Sequence, residues 1–490
     1  SVWSVDALER PAILKRLEGM PGWSLALDAQ GVLALHCDFW VPSYRGAIEF
    51  VQAVGAEAER LNHYPHLEIA HHCEDGATVT AKVFTHAISA VSEFDLELAQ
   101  RMLQLYVPTH GCADHAPDVS TADYRYELPE SFIADFPASP RGASRLLVAL
   151  PEPADPHAQE QPGASPAPLD LFAGSFVDLP SLLPSDAHLV CNASQVFAAR
   201  IFAQEADQES SDPIEVMFLS PDPCDTDPAT MLTRACDGQT WRCMVRHAID
   251  APGFQLSART GNAQTGEVRL SMAVERLHSA WSEEGEVDGV EATLRLSCSD
   301  PGAAAQAIFG QLGSVPLPPY IRRAPQEMDK ATYQTVFASS DAVGSVAAPT
   351  AGLHFTPDLV QSLRDRGMRW SQCALHVGAG TFRPVTAEKV AQHVMHSEVF
   401  AMSLQELEDV IDSLQAGRAV VAVGTTSARV LESLYWLGVA PQRYSAGGMS
   451  LGQWDAYLAQ QRLGPDAPAA AEALRRLHAH VAERGGRAMR

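Results

Sequence analysis

Between Gly344 and Glu398 the chain alternates short apolar runs with glycines and histidines, and no other stretch restricts the fold as much. Cys373-Ala374-Leu375 reads as a strand ending in His376, and Gly378 and Gly380 make the turn after it. An apolar strand that opens into a glycine turn belongs to an α/β sheet, where ligands sit beyond the strand ends. Glycine lets backbone approach a ligand because no Cβ stands in the way. His354, His376, His393 and His396 fall in this window, beside Thr350, Thr381, Arg383 and Glu398. Imidazoles titrate near neutral pH, so the cluster suits proton transfer. The His393, His396, Glu398 spacing is irregular for one helix face and no further ligand set is visible, so no metal is expected. The glycine pair is too short to count as a nucleotide fingerprint.

A second strand end repeats the theme. Residues 419–423 are apolar and rich in valine, and Gly424-Thr425-Thr426 leads into a helix carrying Arg429 and Glu432. Free N–H groups converge at such a helix start, which makes either an anion or ribose site or an ordinary capped turn. Thr356 followed by Pro357, and Ser403 with Glu406, cap two further helices of the same α/β pattern.

The front of the chain reads differently. Residues 24–27 and 32–39 form two strands, a helix with a stripe of Ala47, Phe50, Val54, Ala58 and Leu61 follows over 43–62, and Pro65 turns the chain. Strands over 67–72 and 78–84 and a helix from Ser92 to about 105 complete the unit, with Ser92 and Asp95 in a capping pattern. This order predicts an α+β sandwich, an antiparallel sheet with helices on one face. His63 and His86 each leave the end of a regular element, which suits either an acid and base pair or two structural histidines.

Residues 107–123 are rich in Pro, Gly, Ser and Asp without periodicity and read as a linker between a front domain over 1–106 and the rest. Residues 150–168 form a Pro/Ala-rich insert. Over 201–313 short strand candidates at 214–219, 241–247, 254–257, 268–274 and 292–297 predict an antiparallel β-barrel inserted into an α/β domain made of 124–200 and 314–490.

Composition narrows the partners. Apolar residues at 46% and charged residues at 19% fit a globular chain, and no apolar run approaches the length of a membrane span. With 60 acidic against 35 basic residues the net charge is −25, so any nucleic-acid partner needs a local basic groove. Nine cysteines without a CxxC pair indicate reduced thiols, hence the cytoplasm or another reducing compartment. The chain begins at Ser1, which leaves room for an upstream targeting segment, so an organelle stays open.

Two resemblances add to this reading. The segments VPLPPYIRR (315–323), TYQTVF (332–337), SVAAPTAGLHF (345–355), LHVGAGTFRPV (375–385), HVMHSE (393–398) and VGTTSARVLES (423–433) resemble the S-adenosylmethionine:tRNA ribosyltransferase-isomerase family of queuosine synthesis. The resemblance implies S-adenosylmethionine as co-substrate and a 7-aminomethyl-7-deazaguanine in tRNA as acceptor, with epoxyqueuosine as product. The sequence does not single out the base; His376 or His396 is the expected one, with Thr350, His354, Gly378, Gly380, Thr381, Arg383, Thr425, Thr426 and Arg429 lining the site. Where that family carries arginine this chain has Gln195, which leaves an anion contact to Arg200 or elsewhere. The family's Pro-Gly-Tyr, Asn-Phe-His and Tyr-Gly-Asp segments do not occur in 437–490, so the rear domain is expected to lack its C-terminal segment.

The front segment, with Asn62-His63-Tyr64-Pro65, Thr85-His86 and Ser92-Glu93-Phe94-Asp95, is similar to pterin-4a-carbinolamine dehydratase. That implies a pterin substrate, with His63 and His86 as acid and base and Tyr64 and Asp95 in support. Tyr64 stands where the family carries a second histidine, and a phenol titrates near pH ~10, which makes it the poorer base. The expectation is a bifunctional enzyme, with homo-oligomerisation through the front domain left open. The alternative is a pterin-fold dimerisation or binding module fused to an inactive transferase-like domain.

Overall fold

The structure is a computed structural model. It describes residues 7–483 except 18–19, 21–22, 28–31, 42–43, 62, 73–75, 86–89, 110–118, 152–168, 207–211, 223–226, 250, 261–267, 282–288, 383–384, 386, 391–392, 394, 440 and 442–448.

At the front, Ser24–Leu27, Leu33–Val41, Gly76–Val83 and His66–His72 pair antiparallel in that order. Alternation puts Leu35, Cys37 and Phe39 of one strand and Val79, Ala81 and Val83 of another into the core. The helices Tyr44–Leu61 and Glu93–Thr109 pack on these strands and on each other. The predicted stripe is the buried one, and Phe50 meets Phe39 with ring centroids 5.0 Å apart. The last helix runs to Thr109, past the expected end near 105.

The barrel closes through six antiparallel strands. Arg200–Glu205 pairs Ile214–Pro221, then follow Thr240–Arg246, Gly289–Cys298, Val268–Trp281 and Gln255–Thr260, which returns to the first strand. Closure removes the free edges that an open sheet would present. The helix Ala305–Leu312 packs on the barrel and sets Phe309 4.7 Å from Phe218 and 5.7 Å from Trp241, ring to ring. The strand Arg200–Glu205 was not among the sequence candidates, because the polar Gln204 and Glu205 hide its alternation.

The front sheet does not stand alone. Val268–Trp281 runs on past 274, and its far half pairs with Ser24–Leu27 through Leu25↔Leu277 and Ala26↔Arg276. With Gly313–Ser314, which pairs Arg200–Glu205, the four front strands and the six barrel strands thereby form one eleven-stranded sheet. Ile13, Leu14 and Leu17 of the first helix, Leu25 and Leu277 belong to a single apolar core shared with the barrel.

The remainder is an α/β unit. Arg369–Leu375, His188–Asn192 and Val420–Val423 run parallel, and Phe400–Ala401 adds an antiparallel edge. His188–Asn192 is buried throughout, as expected for a strand covered on both faces. Its consecutive residues Leu189 and Val190 enter separate apolar clusters. One cluster is built with Leu359 and Leu363 of Pro357–Asp365, the other with helices Leu404–Gln415, Gly424–Val439 and Ala470–Glu483. Parallel strands bring His376 and Gly424 to the same edge of the sheet.

Leu277→Ala tests the seam. It is fully buried in the shared core, so truncation should cost about 2–5 kcal/mol and lower the urea midpoint of the whole front-plus-barrel body in one transition. An unchanged midpoint, or separate melting of the front unit, would show that the pairing carries no stability.

Candidate functional site

The rear site grows from the end of Arg369–Leu375. Asn192 acts there as an extra strand partner: its Nδ2 donates to Leu375 O at 3.0 Å and its Oδ1 accepts from Leu375 N at 3.0 Å. Ser345 Oγ accepts from Val377 N at 3.0 Å and lies 2.8 Å from Ser194 Oγ. Val346 N donates to Val377 O, and His376 N to Val399 O. These bonds fix the backbone up to Gly378.

Gly378 N then donates to Glu398 Oε1 at 3.1 Å, the same oxygen that lies 3.1 Å from His396 Nε2. Arg429 Nη1 donates to Glu398 Oε2 at 2.6 Å. The side chain is only 5% exposed, so its charge is balanced by the guanidinium, and its other oxygen is used by the imidazole and the backbone N–H. With Nε2–H given to Glu398, the lone pair of His396 resides on Nδ1. The ring is 31% exposed and lies over Gly380, where an added Cβ would come within 2.3 Å of Cγ and 2.4 Å of Nδ1.

His376 sits differently. Its side chain is 7% exposed and its Nε2 lies 3.5 Å from Asp227 Oδ1, on the barrel. His354 bonds Ala351 O through Nδ1 at 3.1 Å and stacks near Phe176. Its loop approaches the sheet edge, since a Cβ on Gly424 would lie 2.9 Å from Ala351 Cβ. Thr350, Thr381 and Thr425 are exposed, and Thr426 is half-buried on the first turn after Gly424. His396, Glu398, Arg429, Gly378 and Gly380 are therefore in mutual contact, whereas His376 and His354 face other partners. Arg383 lies outside the described residues.

Two expectations about anion contacts change. Gln195 has a buried Oε1 without a partner among the described residues. Arg200 donates to Glu215 at 2.7 Å and lies over Phe202, so its guanidinium is held within the barrel. Sequence reasoning named Glu398 beside the histidines but weighed it only as a metal ligand, and it assigned no role to Asn192 or Asp227. The only signal was that a glutamate two residues after His396 can face the same turn.

The front site is built on Asp95, which is fully buried. Its Oδ2 accepts from Ser92 N at 2.6 Å, Ser92 Oγ at 2.8 Å and Thr85 Oγ1 at 2.8 Å. Its Oδ1 lies 2.5 Å from His63 Nε2. Asp95 thus caps the helix and orients the imidazole at once. Tyr64 is 59% exposed beside it, and His86 lies outside the described residues, directly after Thr85.

Replacing Gly380 by Ala should drive the His396 ring away from Glu398, visible as altered His396 ring resonances. Gly378→Ala should leave the ring in place, because its Cβ would meet only Cδ2, at 3.9 Å. Equal spectra for both variants would refute the packing argument.

Residues 121–453 match the family of queuosine biosynthesis proteins, and residues 6–105 match pterin 4 alpha carbinolamine dehydratase. An S-adenosylmethionine:tRNA ribosyltransferase-isomerase of Oleidesulfovibrio alaskensis is 38% identical over 322 residues, covering 65% of this chain and 74% of the relative. The protein of the same name from Parvibaculum lavamentivorans is 38% identical over 322 residues, covering 64% and 76%. The crystal structure of an S-adenosylmethionine tRNA ribosyltransferase from Thermotoga maritima overlaps 63% of this chain and 71% of that one at 21% identity, with a TM-score of 0.24, too low to support an argument. The match over 121–453 and the shared length with these relatives establish that the chain belongs to the queuosine biosynthesis protein family and carries a pterin 4 alpha carbinolamine dehydratase domain at its front.

Proposed function

We propose that the chain is a bifunctional enzyme. Its rear domain transfers and isomerises the ribosyl group of S-adenosylmethionine onto a 7-aminomethyl-7-deazaguanine in tRNA, giving epoxyqueuosine. Its front domain, an α+β sandwich, dehydrates a 4a-hydroxytetrahydropterin. The observation that carries the rear reading is the contact set of Gly378, Gly380, His396, Glu398 and Arg429 at the end of a parallel sheet.

His396 is assigned the base, because its Nδ1 bears the lone pair and its ring is partly open to solvent. Glu398 orients the ring and Arg429 holds Glu398. Thr381, Thr425 and Thr426 supply hydroxyls, and the start of Gly424–Val439 supplies backbone N–H groups for polar groups of the substrate. A net charge of −25 confines tRNA to a local surface around this edge. The described cysteines are buried free thiols, consistent with a reducing compartment such as the cytoplasm.

In the front domain His63, held by Asp95, acts with His86, and Tyr64 offers a hydroxyl to the substrate.

Incubation with S-adenosylmethionine and precursor tRNA should release adenine, and His396→Ala should lower kcat by about 10²–10⁴-fold. A wild-type chain that releases none would end the transferase assignment. In a dehydratase assay the wild type should exceed the uncatalysed rate, with His63→Ala falling to it. Equal rates would leave the front domain as a binding module.

A further inference from the structure

The inserted barrel reaches the rear site through Asp227. Asp227 precedes the short helix Pro228–Thr233, between the barrel strands Ile214–Pro221 and Thr240–Arg246. Its Oδ2 accepts from Thr230 N at 3.1 Å and Thr230 Oγ1 at 2.6 Å, which caps the helix. That leaves Oδ1 directed at His376 Nε2, 3.5 Å away. The other ring nitrogen, Nδ1, is buried without a hydrogen-bond partner among the described residues.

Gly344 makes this closeness possible. Its φ is +146°, and a Cβ there would lie 2.5 Å from Pro228 Cβ and 3.0 Å from His376 Nδ1. The barrel helix and the imidazole therefore close on the same glycine. The nearby imidazole and the Thr230 donors also hold the Asp227 carboxyl well below the usual carboxylate range, against the opposing effect of burial.

From the geometry we infer that Asp227 is a positioning residue for the rear reaction: it holds His376 as the Nε2–H tautomer and so keeps the following turn aligned on Glu398. His376 N bonds Val399 O, next to Glu398, and Gly378 N bonds Glu398 itself. The side chain held by Asp227 and these two bonds therefore belong to one three-residue segment, 376–378. The inserted barrel then has a task in the chemistry, because it supplies the carboxylate that the α/β unit lacks at this position. This inference rests on the transferase-isomerase reading of the rear domain.

Asp227→Asn and Asp227→Ser both keep a helix-capping side chain while removing the carboxylate, so folding is preserved. The full chain with ¹⁵N-labelled histidine, and His376→Gln for assignment, reports the ring tautomer. Loss of the Nε2–H pattern at His376 is expected in both variants. Adenine release should fall about tenfold to a hundredfold in kcat, with KM for S-adenosylmethionine changed less than about twofold. An unchanged ring pattern overturns the dyad whatever the turnover. A changed ring with unchanged kcat overturns the positioning role. A wild-type chain that releases no adenine defeats the proposed reaction instead, and the ring pattern still decides the dyad.

Discussion

The side-chain amide of Asn192 is the constraint on which the rear domain depends. Beyond Asn192 the parallel strand has no further backbone to offer Leu375, and an unpaired amide at that depth would cost about 1–3 kcal/mol. The side chain substitutes for the missing backbone, donating to Leu375 O and accepting from Leu375 N. Ser194 and Ser345, both fully buried, continue the polar clamp to Val377. Because the pairing is satisfied to this point, the chain leaves the sheet in one direction only. That direction decides where Gly378 meets Glu398 and where His376 meets Asp227.

A comparable economy governs the front half. The strand Ser24–Leu27 is short, and its outer edge would be open to pairing with other chains. The overlong barrel strand Val268–Trp281 covers it, and the first helix packs on the same strand. Burial of Leu25, Leu277, Ile13 and Leu14 in one core ties the two bodies by hydrophobic area as well as by hydrogen bonds. The front domain is thus a continuation of the barrel in space, although residues 110–199, with the α/β strand His188–Asn192, lie between them in sequence.

Local signals made most elements readable. The Ser403 cap bonds Glu406 N, the Thr356 cap bonds Leu359 N, and the stripe from Ala47 to Ala58 faces inward, since each depends on residues within a few positions of one another. What escaped the sequence depends on distant partners. Glu398, Asn192 and Asp227 look like ordinary polar residues until Gly378, Leu375 and His376 arrive from far along the chain. The extension of Val268–Trp281 was hidden for the same reason: its outer half is a strand only because Ser24–Leu27 pairs with it. His376 and His396 were interchangeable as candidate bases by type, and burial, at 7% against 31% exposure, and partners, Asp227 against Glu398, separate them.

The two proposed sites solve one physical problem in the same way. In each, an imidazole offers Nε2 to a buried carboxylate, and that carboxylate also accepts a backbone N–H: Ser92 N for Asp95 and Gly378 N for Glu398. A buried carboxylate is tolerated only when its lone pairs are used, and additional donors meet that need. Thr85 and Ser92 hydroxyls provide them at the front, and the Arg429 guanidinium provides them at the rear. The donors differ in kind. Neutral hydroxyls hold the Asp95 carboxylate from within the core, whereas the Arg429 guanidinium that holds Glu398 is 42% exposed, so the rear site presents a fixed cation at its surface.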